Sequence, residues 1–486
     1  MNRRQFITNS FYLSVALSLN ACAKSKPDDK MGDMNMAGMD VSTKKLDLNQ
    51  IISGQPLRAP TQLMGGVLNI TPAQTSWRSD GTLTNVWAYT SDGGSLLDVM
   101  AGDKVRITVN NQLPEATTVH WHGLDVPPTQ DGHPRDVIAP NQSRVYEFTP
   151  PDAGTYWYHP HPHGRASIQA ARGLAAPIVV RDPRDPIAAL GIAEHILLFT
   201  TPQLDESGQI TAHTMDEQMN GREGNVLLVN GQYQPVLTVP TGSTQRLRLI
   251  NTSNARYLKL SFGQDNLIVV GSSGGLLEQP LPPQKEILLA PSERMEVCVT
   301  FNQNVTLQAL PYDKGWMSGG MGGTKPTPQT VDVLQVKVTG DKVPAVTLPQ
   351  KLRTITPLGT AKITRKFLLT ENMQMSMADG KHSMTMEFMI NNQMFDMNRV
   401  DFTARAGEVE LWEIVNQTDM DHPFHIHGSH FQVEGAPYLA WQDTVNTKAG
   451  QTVRLKIAQK HKGLRMFHCH ILEHEDLGMM GQYDVV

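Results

Sequence analysis

The sequence predicts an all-β protein of three tandem sandwiches, and three observations carry that prediction. Short runs alternate polar and apolar residues: KVRITV (104–109), RVYEFT (144–149), APIVVR (176–181), TQRLRLI (244–250) and TVRLKIA (452–458). Successive side chains of a strand point to opposite faces, so such runs suit strands with one buried side. Gly, Pro, Asn and Asp separate the runs at short intervals, the spacing of sandwiches rather than βαβ units. Finally, one pattern occurs three times. GDKVRITVNN (102–111), GSTQRLRLIN (242–251) and GEVELWEIVN (407–416) each open with Gly and end nine residues later with Asn. LGIAEHILLF (190–199) fits either a helix or a buried strand, and periodicity alone does not separate the two.

A chain of 486 residues is too long for a single core. The repeats place domains at 49–183, 184–345 and 346–486. A net charge of −5 offers no basic surface for nucleic acid. Three cysteines, Cys22, Cys298 and Cys469, are too few and too scattered for a disulfide framework. Cys298 lies in a predicted strand and is expected to fill apolar space.

The N-terminus reads as an address. NRRQFI (2–7) carries paired arginines, and FYLSVALSL (11–19) is too short to span a bilayer. Residues 1–22 therefore read as a twin-arginine export signal, with SLNAC (18–22) as a candidate lipobox ending at Cys22. Residues 23–48 are polar and Met-dotted and read as a flexible tether. The expected location is periplasmic, free or lipid-anchored.

Nine residues beyond the repeat's Asn stand His120, Leu260 and His425. Two further stand His122, Phe262 and His427. GTYWYHPH (154–161) and GLRMFHCH (463–470) likewise each place a His five residues after Gly and another two further on. Four His-x-His pairs result: His120/His122, His159/His161, His425/His427 and His468/His470. In an extended segment each pair projects both imidazoles from one side. Eight imidazoles meeting between the outer domains could hold three metals, with two, three and three ligands.

Cys469 lies between His468 and His470, so its side chain points away from theirs. One thiolate, two imidazoles and a weak axial thioether make a blue-copper electron-transfer site. Cys469 and His474 are local, His422 is the candidate second imidazole, and Met479 the axial sulfur. The peptide links from Cys469 to its histidine neighbours would wire this site to the cluster.

HWHG (120–123), HPH (159–161), HPFHIHG (422–428) and HCHILEHEDLGMM (468–480) resemble the four copper signatures of three-domain multicopper oxidases. The resemblance runs from about residue 50 to the end. It implies three tandem cupredoxin-like Greek-key domains and four copper ions. By the same resemblance His120 and His425 would hold type 2 copper. His122, His159 and His470 would hold one type 3 ion, and His161, His427 and His468 the other. His422, Cys469, His474 and Met479 would hold type 1. The implied reaction couples four one-electron oxidations of a donor to reduction of O2 to water. Asp131 and Glu475 resemble the family's proton-delivery groups; the alternative for both is an acceptor that orients a ligand. Asp443, in WQDTV (441–445), reads as a hydrogen-bond acceptor on the substrate side.

Eight methionines lie in the segment 373–397 and four more at 31–39. Thioethers suit Cu(I), although methionine also fills core gaps. The segment resembles the Met-rich insert of periplasmic cuprous oxidases, but it is shorter. Those enzymes pair an Asp and a Met just before the HPFHIHG motif. Here Met420 matches, Thr418 replaces the Asp, and Asp419 and Asp421 are the candidate substitutes. Met375, Met377, Asp379 and Met420 are the expected substrate Cu(I) ligands. Cu(I) is the favoured donor, with phenols and Fe(II) as alternatives, and the chain is expected to be monomeric. The competing readings are a copper-free binding protein on the same scaffold and a copper-sequestering protein.

Overall fold

The computed structural model describes residues 46–486 apart from 91–93, 265, 318–324, 326 and 379–380. At 374–378 and 381–384 it describes the backbone alone. The export signal, Cys22 and the methionines at 31–39 lie outside the described residues, as does Asp379. The segment Met375–Thr385 groups apart from the main body, which comprises Asp40–Gln374 and Met386–Val486.

The main body contains three two-sheet sandwiches. In the first, a four-stranded sheet containing Val105–Asn111 and Ser143–Phe148 faces a three-stranded sheet containing Gly154–Tyr158 and Ala176–Arg181. Leu68, Ile107, Tyr146, Tyr156 and Ile178 from the two sheets share one core. In the second, seven- and five-stranded sheets enclose Leu197, Phe199, Leu247, Leu260, Val297 and Leu334. In the third, two five-stranded sheets meet through the rings of Phe367, Phe402, Trp412, Phe467 and Tyr483.

The alternating runs form the strands expected of them, including Thr244–Asn251 and Thr452–Ala458. The ambiguous run at 190–199 becomes a strand, Ala193–Thr200, parallel to Thr244–Asn251. Its inward residues Leu197 and Phe199 are fully buried, and sheet pairing decides what periodicity leaves open. Cys298 is buried in Arg294–Thr300 beside Val270 and Leu352, and burial raises its thiol to about 12. Among the described residues no helix is long and apolar enough to cross a membrane.

The Asn that ends each repeat does the same work three times. Asn111 Oδ1 accepts from the Leu113 amide, and its Nδ2 donates to the Glu115 and Ile138 carbonyls. Asn251 accepts from Ser253 and donates to Arg256 and Leu289. Asn416 accepts from Thr418 and donates to Met420 and Thr447. Each Asn satisfies buried backbone groups of the succeeding loop, groups that would otherwise lack partners. A loop of fixed shape then delivers the residues nine and eleven positions later to one end of the sandwich.

Candidate metal centre

Strand pairing builds the site. In the first sandwich His120 and His159 lie opposite each other, with reciprocal backbone hydrogen bonds of 2.8 and 3.2 Å. In the third, His422–Ile426 pairs antiparallel with Gly463–Cys469, setting His425 opposite His468 and Phe424 opposite Cys469. Directly opposed residues share a face and the next pair takes the other face. His425 and His468 therefore face one way, while Cys469 and His422 face the other.

All eight paired imidazoles are fully buried and come together between the first and third sandwiches. His120 Nε2 and His425 Nε2 are 3.4 Å apart. His468 Nε2 lies 3.2 Å from His161 Nε2 and 3.0 Å from His427 Nε2. His122, His159 and His470 form the remaining group, with ring centroids 4.9–5.7 Å apart. Other ring pairs are closer still, His120 on His427 and His122 on His425 with centroids 3.8 Å apart, so the eight rings form one continuous cluster.

The second site lies behind the first. His422 Nδ1 is 3.3 Å from Cys469 Sγ and 3.3 Å from His474 Nδ1. Met479 is fully buried, and its backbone carbonyl accepts from the Cys469 amide. Met480 pairs with His468 and packs against Phe395 and Met466.

The donor set fits copper. Burial, above all, pushes the imidazoles of His122, His159, His161, His425, His427, His470 and His474 well below their usual range, and His422 and His468 to about 3. Neutral rings keep a lone pair for a metal. His122 Nδ1, His159 Nε2 and both nitrogens of His470 are buried with no hydrogen-bond partner. Each such orphan costs about 1–3 kcal/mol, which a bound cation offsets. Burial raises the Cys469 thiol, so the thiolate needs a cation beside it. Cys, two His and a Met select copper over zinc.

The candidate carboxylates are both inside. Asp131 Oδ2 lies 3.1 Å from His427 Nδ1, and its backbone carbonyl is 2.8 Å from His120 Nδ1. Burial works to raise this carboxyl, but the His120 ring and the Arg465 guanidinium outweigh it and hold it below the usual range. Glu475 stands 3.4 Å from His161 Nδ1 and 3.3 Å from His468 Nδ1. Burial, with Asp476 and Glu473 nearby, pushes Glu475 well above the carboxylate range. Their surroundings therefore push the two carboxyls in opposite directions.

Asp443 requires a correction. It does not sit on the substrate side: Oδ1 is 3.3 Å from His122 Nε2, and its carbonyl is 2.8 Å from His425 Nδ1. It is the counterpart of Asp131 across the two outer sandwiches. Each Asp gives a carbonyl to the first His of one pair and a carboxylate to the second His of the other. Sequence spacing conceals this, because Asp131 follows its His by eleven residues and Asp443 by eighteen.

The outer edges of the two imidazoles beside Cys469 are also defined. Thr418 Oγ1, at the position where the cuprous oxidases have an Asp, is 2.8 Å from His422 Nε2. Asp421 is instead engaged by Tyr312, Asn446 and Ala449, and Asp419 is exposed. His474 Nε2 is 3.0 Å from the Met219 carbonyl, at the end of the middle sandwich's helix Met215–Asn220. Phe388 stacks on His474 with centroids 3.9 Å apart. Met420 is fully buried and bridges to Gly315. Met375 and Met377 lie in the strand Ile363–Ala378, their side chains outside the described residues.

Signatures described as multicopper oxidase match residues 72–185, 201–337 and 366–486. The chain is 32% identical to multicopper oxidase mco of Staphylococcus aureus, over 83% of this chain and 85% of that one. It is 29% identical to cell division protein FtsP of Escherichia coli, over 80% and 84%. Among solved structures it resembles a multicopper oxidase from Campylobacter jejuni described as a metallo-oxidase. That match has 35% identity and a TM-score of 0.82, over 91% of this chain and 98% of that one. Signatures covering most of the chain agree with the cupredoxin-like sandwiches and their buried histidines: this chain belongs to the multicopper oxidase family of copper-dependent oxidoreductases.

Proposed function

We propose that this protein is an exported oxidase with four copper ions, taking electrons preferentially from Cu(I) and passing them to O2. The observation that carries the reading is the fully buried Cys469 beside His422 and His474, flanked in sequence by two imidazoles of the eight-histidine cluster. The proposed ligand sets are His422, Cys469, His474 and Met479 for type 1, and His120 and His425 for type 2. His122, His159 and His470 hold one type 3 ion; His161, His427 and His468 hold the other. The partition at 49–183, 184–345 and 346–486 belongs to the same proposal, with the middle domain supplying no copper ligand.

When bound, copper supplies the one-electron chemistry and the reduction of O2 to water. The chain's part is arrangement. The peptide units joining Cys469 to His468 and His470 are a short covalent path between the two sites. Glu475 is placed to pass protons beside His161 and His468, and Asp131 beside His120 and His427. Burial excludes water from both sites, which keeps partly reduced oxygen from escaping.

Cu(I) is favoured by the composition of the Met-rich segment 373–397; Met375, Met377, Asp379 and Met420 are the proposed substrate ligands. The Campylobacter jejuni relative's description as a metallo-oxidase supports a metal-ion donor. Phenols and Fe(II) are the alternative donors. The likeness to FtsP raises a second reading, a binding protein on this scaffold; the intact ligand set argues against it. The sequence of residues 1–22 supports export, with a lipid anchor at Cys22, and we assign a monomer. The test compares oxygen uptake on Cu(I), Fe(II) and a phenol, with and without added Cu(II). Fastest turnover on Cu(I) supports the assignment. Turnover on the phenol alone, unmoved by Cu(II), makes the protein a laccase-type enzyme.

A further inference from the structure

The middle sandwich carries no imidazole of the cluster, yet it sends one side chain to the cluster's edge. Arg294, at the start of strand Arg294–Thr300, is 1% exposed. Its Nη1 donates to Asp443 Oδ1 at 2.7 Å, and Nη2 donates to Asp443 Oδ2. The remaining guanidinium hydrogens go to backbone carbonyls of Thr155, Ser292 and Ser273. All five donors are used. The acceptors belong to all three sandwiches: Thr155 to the first, Ser273 and Ser292 to the second, Asp443 to the third.

We propose that Arg294 is a positioning residue of the histidine cluster, acting through Asp443; this rests on the copper-oxidase reading above. The carboxylate takes the Nε2 proton of His122, leaving Nδ1 as the free donor atom, and that Nδ1 is a buried nitrogen with no partner. The Asp443 carbonyl takes the Nδ1 proton of His425, leaving Nε2 to face His120 Nε2. One residue thereby sets the tautomer of two rings, and the guanidinium fork sets that residue. Burial works to raise the Asp443 carboxyl, and Arg294 outweighs it.

The glycines of the two H-x-H-G motifs support the assignment. A Cβ on Gly123, at φ +86°, would collide with Arg294, Asp443 and Tyr156. A Cβ on Gly428, at φ +57°, would collide with Arg465. Arg465 is the matching guanidinium behind Asp131, but it is held more loosely, 3.5 Å from Oδ2, with Nε and Nη1 lacking hydrogen-bond partners. The two outer sandwiches thus use one plan: His-x-His, a glycine, an arginine packed on it, and an aspartate that aims the rings. Only the Asp443 copy is clamped from both oxygens, and its clamp comes from the middle sandwich.

The test uses the copper-loaded full chain with Arg294→Lys and Asp443→Asn, each alone and combined. Second-site partners of metal ligands are worth about 10–100-fold in activity or affinity. The expected result is a fall in kcat of about that size, an unchanged KM for the donor and an altered or lost type 2 EPR signal. The blue type 1 absorption should stay as in wild type, while the thermal midpoint of the apoprotein falls for Asp443→Asn, which leaves the buried Arg294 charge unpaired. The double variant should be no worse than the worse single. A Lys variant with wild-type kcat and type 2 signal would overturn the proposal. So would loss of the blue absorption in step with the type 2 signal, since that reports general collapse. If Arg294→Lys does not fold, Asp443→Asn gives the same readouts, and a wild-type signal from it also refutes the assignment. A wild-type chain that takes up no copper sinks the oxidase reading itself, a failure visible before any variant is made.

Discussion

Cys469 Sγ lies 3.3 Å from His422 Nδ1, while the adjacent His468 reaches the other way, its Nε2 3.0 Å from His427 Nε2. One strand end thus belongs to two sites. Cys469→Ser should abolish the blue absorption and donor-driven oxygen uptake, while the eight-imidazole cluster still binds copper. Undiminished donor oxidation by this variant in a steady-state assay would disprove the path through Cys469.

Deleting 373–386 should lower the Cu(I) oxidation rate by about tenfold or more, the loss expected when soft substrate ligands go. Oxidation of a bulky phenol should be spared or raised. Parallel loss on both donors would show that the segment has no selective role.

Glu475→Gln keeps the shape of the side chain and removes the titratable carboxyl between His161 and His468. Stopped-flow mixing of the pre-reduced variant with O2 should show reoxidation slowed by about 10–100-fold, the scale of such second-site changes. Anaerobic reduction of the type 1 site by donor should proceed at the wild-type rate. Slowing of both phases would place Glu475 among structural residues.

A second buried charge network offers a pH test. Arg246 and Arg248 hold Glu296, which also accepts from Thr155. Burial works to raise this carboxyl, but the two guanidinium groups outweigh it and bring it to about 2. Its folded value lies below the unfolded one, so its contribution is complete above about pH 4.5 and is lost as pH falls toward 2. Glu296→Gln should cost about 3–5 kcal/mol at neutral pH by leaving buried charge unpaired. It should also flatten the acid limb of a denaturation series. An acid limb identical to wild type would mean that Glu296 does not titrate as described.

Much of the site is legible in the sequence because its rules are local. Period-two spacing sets both rings of His120/His122 or His468/His470 on one side, and the same rule turns Cys469 the other way. The repeat's Asn marks where each loop starts, although its hydrogen bonds to distant carbonyls, such as Asn416 to Thr447, appear only in three dimensions. The hidden part depends on contacts between sandwiches. Asp443 meets His122 across 321 positions, and Arg294 comes from the middle sandwich, which gives the cluster no imidazole. The glycines of the two His-x-His-Gly motifs are the available signal, since each leaves room for an arginine. Thr418 shows the limit of motif matching, because only the structure reveals that its hydroxyl meets His422.

The most direct test of the central claim is a metal analysis of the purified, copper-loaded full chain, taken with its visible and EPR spectra. The account predicts about four copper ions per chain, an intense blue Cu–thiolate absorption, and an EPR spectrum with one type 1 and one type 2 signal. A colourless protein, or one that retains no copper after loading, would contradict it.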